Sequence, residues 1–340
     1  MFQGILTDIA VIGLLLTFNL PKGISQTSDS HTEKVMFYNV ENFFDTFDDS
    51  LTDDNDFLPD GLMRWNLTRY NKKVNSVYKT IIAAGEWEPP AIVAFCEIEN
   101  RKILEDLIFG TNLSKFNYGI IHQESPDRRG IDVCLIYRKN AAEVLSFAYL
   151  IPEVLKNQNF NSRSVLYAKL FSGSDTIHLF VNHWPSRRGG VLAGEYTRLQ
   201  IASMLKGKVD SILNGSQNTA KIIILGDFNC TPEDQDIQSV MAAGDSLTNL
   251  SEHIKDKGFG TYRYMGRWEM IDQVIVSKGI LNSKSGIYSK TDLVRIFHPD
   301  FLLKKDAKYP GSSPYSTYSG YKYQGGYSDH LPVILELKFR

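Results

Sequence analysis

The ten residues Lys221-Ile222-Ile223-Ile224-Leu225-Gly226-Asp227-Phe228-Asn229-Cys230 constrain the chain most. A short Ile-rich run closed by glycine, with no polar face, predicts a strand buried on both sides. A carboxylate at the exit of such a strand is costly unless it is paired, hydrogen-bonded or beside a metal. Side chains alternate along extended backbone, so Asp227 and Asn229 project the same way. An Asx turn closing the strand is the structural alternative. The functional one is a carboxylate and a carboxamide gathered for chemistry.

The same pattern, an apolar run with a polar residue at its end, recurs along the chain. Residues 34–40 predict a strand carrying Asn39, and 91–97 a buried strand ending in Glu97. Residues 131–137 predict a strand with Asp132 near its start. Runs at 165–171 and 176–181 flank Ser172-Gly173-Ser174-Asp175, a hairpin signal, and lead into Asn182-His183-Trp184. Residues 270–277 embed Asp272, and a final strand over 333–339 follows Ser328-Asp329-His330. Helices are expected over 64–84, 101–109 and 192–212, and a short one over 232–241 capped by Thr231. Residues 45–61 are rich in Asp but lack EF-hand spacing, so they read as a solvated loop. Residues 304–327, rich in Tyr, Gly and Ser, read as a long loop of the kind that forms lids or stays disordered.

The N-terminus has a different composition. Residues 9–20 are apolar but too short for a comfortable membrane span. Pro21 and Gly23 break the run, and Gly23-Ile24-Ser25 offers small residues ahead of Gln26. Residues 1–25 are therefore expected to be a secretory signal peptide, although Asp8 stands where basic residues are usual. An uncleaved anchor is the alternative. Export to the periplasm or beyond is the expectation, with 26–33 a polar linker and 34–340 one domain. The balance of 37 basic against 39 acidic residues gives no strong field. It does not announce a nucleic-acid binder, and it leaves room for a local basic patch. Cys96, Cys134 and Cys230 lie in or beside apolar runs and read as buried free thiols rather than a disulfide framework.

Taken together, Asn39-Val40-Glu41-Asn42, Glu97, Asn182-His183-Trp184, Gly226-Asp227-Phe228-Asn229, Ile271-Asp272 and Ser328-Asp329-His330 resemble the endonuclease/exonuclease/phosphatase superfamily, the DNase I-like fold. The pieces stand in that family's order over most of the chain. Singly, Gly-Asp-Phe-Asn and Ser-Asp-His are moderately specific and the rest weak; the set is strong. The resemblance implies a four-layer α/β sandwich, two mixed β-sheets face to face with helices outside. The strand pattern by itself supports only α/β or α+β.

The resemblance also implies hydrolysis of a phosphate ester with Mg2+ or Mn2+, an ion suited by hard oxygen ligands. It makes Glu97 the main metal ligand, with Asn39 and Asp329 close to the metal directly or through water. Asp227 would activate or orient the attacking water, helped by Asn229. His330 would bind the phosphate, oriented by Asp272, and His183 would donate a hydrogen bond to it. Structural alternatives exist for each: Asn39 capping a turn, Glu97 opening the helix at 101, His183 packing beside Trp184-Pro185, Asp272 pairing an arginine. Arg187 and Arg188, in a Gly-rich turn, are candidate substrate contacts. Arg129 and Asp132 are candidate cleft residues. His31, His122, His178, His253 and His298 read as structural or surface residues. The expected substrate is DNA or RNA, cut by a monomeric endonuclease. The alternative is a phosphodiesterase or phosphatase acting on a small or lipid ester of the sphingomyelin or inositol-phosphate type. A binding module that lost its chemistry is disfavoured, because no position of the set carries an inert residue.

Overall fold

Strand alternation sorts the apolar residues of the chain into three cores, and the cores define four layers. The computed structural model describes residues 1, 31–156, 161–187, 194–242, 246–255 and 258–340. The expected signal peptide and most of the expected linker lie outside the described residues. β1 (Thr32–Phe43) sends Val35 and Phe37 to one core and Met36 and Tyr38 to another. It is followed by α1 (Leu67–Gly85), β2 (Ile92–Ile98), α2 (Arg101–Phe109), β3 (Tyr118–Ile121) and β4 (Asp132–Arg138). α1 and α2 start where asparagines cap them. Asn66 accepts from the Arg69 amide at 3.2 Å and Asn100 from the Ile103 amide at 3.1 Å. Their buried faces meet Met36, Val93, Phe95 and Cys134.

The second half repeats the plan. β5 (Glu143–Leu150) precedes the single turn α3 (Glu153–Lys156). Then come β6 (Val165–Ser172), β7 (Asp175–His183), α4 (Glu195–Gly215), β8 (Lys221–Asp227) and α5 (Gln235–Met241). β9 (Leu247–Asn249), α6 (Glu252–Lys255), the hairpin β10 (Tyr262–Tyr264) and β11 (Arg267–Glu269), β12 (Asp272–Ser277) and α7 (Lys278–Leu281) follow. β7 and β8 run parallel, as do β1 and β2. The second sheet has the order β5-β6-β7-β8-β12-β9. Its outer face packs on α4 and α5 through Phe180, Ile222 and Ile224, while Leu179, Val181, Ile223 and Leu225 face the first sheet. The result is the sandwich the resemblance implies.

The C-terminal part closes the first sheet. β13 (Ile287–Tyr288) and β14 (Val294–Ile296) pair with the last strand of the chain, which itself pairs antiparallel with β1. The stretch expected to be one long loop is instead two short hairpins, β15 (Leu303–Lys305) with β16 (Ser312–Pro314) and β17 (Tyr318–Ser319) with β18 (Lys322–Tyr323). The last strand is β19 (Val333–Phe339). Fastenings from distant parts of the chain hold these hairpins. Arg263 donates to the Pro310 and Ser312 carbonyls. The Glu41 carboxylate accepts from the Thr317 amide at 2.6 Å and the Tyr318 amide at 3.0 Å.

Three boundaries move. Thr32 and Glu33 belong to β1 rather than to the linker, and Glu33 is buried against Arg138. α4 begins at Glu195, and residues 192–193 of its expected start lie outside the described residues. α5 begins at Gln235, because Asp234 accepts from the Thr231 amide and holds the preceding turn out of the helix. The three cysteines are free and buried, as expected. Among the described residues no helix is long and apolar enough to cross a membrane.

Candidate active site

Strand pairing alone brings three of the candidate residues side by side. In the parallel β7–β8 ladder His183 is the register partner of Asp227, and in the antiparallel β8–β12 ladder Asp227 is the partner of Asp272. Gly226 permits this approach. A Cβ on Gly226 would lie 2.3 Å from the Asn182 carbonyl oxygen. From the facing sheet come Asn39 near the end of β1 and Glu97 near the end of β2. Glu97 has φ +63° and belongs to the strand end, not to the first turn of α2. Asp329 and His330 arrive just ahead of β19. The Ser328 hydroxyl donates to the Asn39 carbonyl at 2.7 Å and accepts from the His330 amide at 3.1 Å, which pins that segment to β1.

The side chains converge. Asn39 Nδ2 donates to Asp227 Oδ2 at 3.0 Å and approaches Glu97 Oε1 at 3.4 Å. His183 Nε2 lies 3.7 Å from both Glu97 Oε1 and Asp227 Oδ2. His330 Nε2 lies 3.9 Å from Asp227 Oδ2 and 4.0 Å from Asp329 Oδ1, while its Nδ1 is 2.7 Å from Asp272 Oδ2. Asn229 donates its backbone amide to Asp227 Oδ1 at 2.9 Å and its side-chain amide to the Trp184 carbonyl at 3.0 Å. It braces Asp227 and fixes the turn after His183.

The two imidazoles are driven to opposite charge states. Burial holds His183 well below the ordinary imidazole value, and Arg163 and Arg129 push the same way. Among the described residues its Nδ1 has no partner, so a neutral ring with the proton on Nε2 fits its surroundings. Burial also opposes a charge on His330, yet the Asp272, Asp227 and Asp329 carboxylates hold it well above the ordinary value. Asp227 is pushed up to about 7 by burial and then by Asp272, with Glu97 adding to the effect. One imidazolium therefore leaves the pocket short of positive charge.

That shortage is what a divalent cation meets. Glu97 is 15 % exposed, with Oε1 held only by long contacts, and Asp329 is 35 % exposed, so these are the carboxylates of the cluster that solvent reaches most. Asp227, Asp272 and His330 also offer ligand atoms close together, but Asp272 Oδ2 is taken up by His330. A hard-oxygen set around Glu97 fits magnesium or manganese. Asn39 stands among these carboxylates. Its amide nitrogen faces the carboxylates and its Oδ1 accepts from the Glu41 amide at 3.0 Å, because the turn through Glu41 and Asn42, both at positive φ, presents that N–H. As placed, Asn39 orients Asp227 and Glu97 rather than offering an oxygen. A separate group, His122, Glu124 and Asp132, is already bonded within itself, with His122 Nε2 2.9 Å from Asp132 Oδ2. Asp132 is thus engaged by His122 and by the Ser125 amide.

Arg187 Nη2 lies 2.5 Å from Asp234 Oδ2, so its guanidinium is engaged in the turn ahead of α5. Arg188 lies outside the described residues. Two buried residues escaped the sequence reading. Arg163 donates to Asp127 at 2.9 Å and to the Trp184 carbonyl at 2.7 Å, behind His183. Lys73, fully enclosed in α1, donates to Thr317 Oγ1 at 2.5 Å and the Tyr327 carbonyl at 2.7 Å. The only signal for Arg163 is a basic residue just before a strand. For Lys73 it is a lysine on the apolar side of an amphipathic helix.

A family model described as endonuclease/exonuclease/phosphatase matches residues 34–339. The chain belongs to the endonuclease/exonuclease/phosphatase family. It is a metal-dependent phosphoester hydrolase of that family, with a buried Asp/His cluster at the site. No curated protein matches the chain. Among solved structures it is similar to humanized TDP2 of D. rerio, at 13% identity and TM-score 0.56, covering 90% of this chain and 98% of that one. It is similar to a mannosyl-6-phosphatase of Bacteroides thetaiotaomicron, at 15% identity and TM-score 0.57, covering 90% and 100%. The human Nocturnin catalytic domain with a bound sulfate anion matches at 14% identity and TM-score 0.54, covering 91% and 95%. At these identities the likeness is one of fold.

Proposed function

We propose that this family member is an exported endonuclease that cuts DNA or RNA phosphodiesters with Mg2+ or Mn2+, acting as a monomer. The observation that carries the reading is the pair of imidazoles whose Nε2 atoms flank Asp227 Oδ2 at 3.7 and 3.9 Å, beside the part-exposed carboxylates of Glu97 and Asp329. His330, cationic through Asp272, offers Nε2–H to a phosphate oxygen. His183, neutral, offers a second hydrogen bond from the other sheet. Asp227, braced by Asn39 and Asn229, takes a proton from the attacking water or aligns it. Glu97 and Asp329 would hold the divalent ion, which when bound would neutralise phosphate charge and acidify water. Arg129, whose side chain is 44 % exposed beside Asp127, adds a cation on the His183 side that favours a polyanion over a lone monoester. TDP2 of D. rerio, a similar fold, has been seen with a single-strand DNA product. Residues 1–25 are the proposed signal peptide and carry the export reading.

The second reading is a phosphatase or phosphodiesterase on a small or lipid ester. The mannosyl-6-phosphatase of similar fold and the near-neutral charge of the chain support it. Purified protein incubated with plasmid, RNA, bis-nitrophenyl phosphate, mannose 6-phosphate and sphingomyelin, with magnesium or with chelator, separates the two. Magnesium-dependent nicking of plasmid or cutting of RNA is expected. Turnover confined to the small esters contradicts the nuclease reading.

A further inference from the structure

We infer that the outward face of the β10–β11 hairpin is a binding strip for the unstacked bases of a single-stranded nucleic acid, continuing away from His330. The inference rests on the nuclease reading above and names the form of its substrate. Tyr262 forms an isolated antiparallel bridge with His330, and the two rings lie 4.9 Å apart. Residues two apart on a strand share a face, so Tyr264 follows Tyr262 along the hairpin, leading away from the phosphate-binding imidazole. Register pairs Tyr264 with Arg267 and Tyr262 with Glu269. Tyr264 is 52 % exposed and Arg267 is exposed beside it.

The opposite face of the hairpin explains why these rings stay in place. The Arg263 guanidinium lies 5.6 Å from the centre of the Trp268 ring and is fastened to the Pro310 carbonyl at 2.6 Å. Trp268 stacks on Phe259 at 4.6 Å. One face of a two-strand hairpin is thus fixed to the body of the protein, while the other shows a tyrosine and an arginine to solvent in line with the site. A tyrosine ring accepts the face of any base, and a guanidinium beside it meets the backbone phosphate. A base inside a duplex has no free face, so the strip selects single strands.

The test is fluorescence anisotropy in chelator, where nothing is cut, with a labelled thymidine decamer and an abasic phosphodiester decamer of equal charge. The wild-type chain is expected to bind the thymidine decamer more tightly. Tyr264→Ala should weaken that binding by about tenfold, shift the abasic decamer by less than about twofold, and be rescued by Tyr264→Trp. Arg267→Gln should weaken both decamers alike and reduce the salt slope by about one. Thermal melting of each variant shows whether it is folded. Equal loss on both decamers with Tyr264→Ala, no loss on either, or a wild type that does not distinguish them would overturn the strip. A chain that cuts no nucleic acid with magnesium overturns the nuclease reading itself, a result read in a separate assay.

Discussion

At the scale of single residues, proton position decides what the cluster can do. In the proposed mechanism Asp227 and His330 each serve the reaction directly, so Asp227→Ala or His330→Ala is expected to lower turnover of bis-nitrophenyl phosphate by at least about a hundredfold. A variant retaining a near-normal rate would show its role misassigned. A different histidine sets a pH dependence of stability. His178 accepts a place beside the Tyr167 hydroxyl, at 2.7 Å from Nδ1, and burial, with Lys169 and Lys208, lowers it from 6.5 to about 4. Its proton therefore favours the unfolded chain. The site costs nothing above 6.5 and subtracts stability as pH falls from there toward 4. Urea unfolding at about pH 7 and about pH 4.5 should show wild type losing more stability than His178→Gln. Equal losses in the two proteins contradict the assignment.

At the scale of elements, the strands that carry the cluster were legible in the sequence and the hairpins that complete it were not. β2 and β8 read as buried runs because both faces are covered, β7 and β12 read as strands from their apolar stretches, and α2 has the bounds expected of it, with Asn100 as its cap. β15 to β18 have two or three residues each and no period to read; their position comes from Arg263, Glu41 and Lys73, far away in sequence. The placement of Glu97 and Asp227 at strand ends was likewise readable. The orientation of the Asn39 amide was not, since a neighbouring backbone N–H sets it. Lys73 joins α1 to the segment that delivers Asp329 and His330, and Glu41 lies close enough to offset its charge. Lys73→Met leaves the Tyr327 carbonyl and the Glu41 carboxylate uncompensated, and is expected to lower unfolding free energy by about 1–3 kcal/mol or more. Urea unfolding of Lys73→Met against wild type measures the loss, and an unchanged unfolding free energy argues against the brace.

At the scale of the whole molecule, two sheets of different origin in the chain each supply half of one pocket. The β1–β2 side brings Asn39 and Glu97, the β7–β8–β12 side brings His183, Asp227 and Asp272, and the last strand closes the pocket with Asp329 and His330. Neither half carries the whole set, so the pocket exists only where the two sheets meet. Anomalous diffraction from crystals soaked in manganese tests this most directly. The account predicts a manganese peak in direct coordination range of a Glu97 carboxylate oxygen, with Asp329 beside it and lost in Glu97→Ala. A protein that binds manganese only at His122, Glu124 and Asp132, or shows no peak near Glu97, contradicts it.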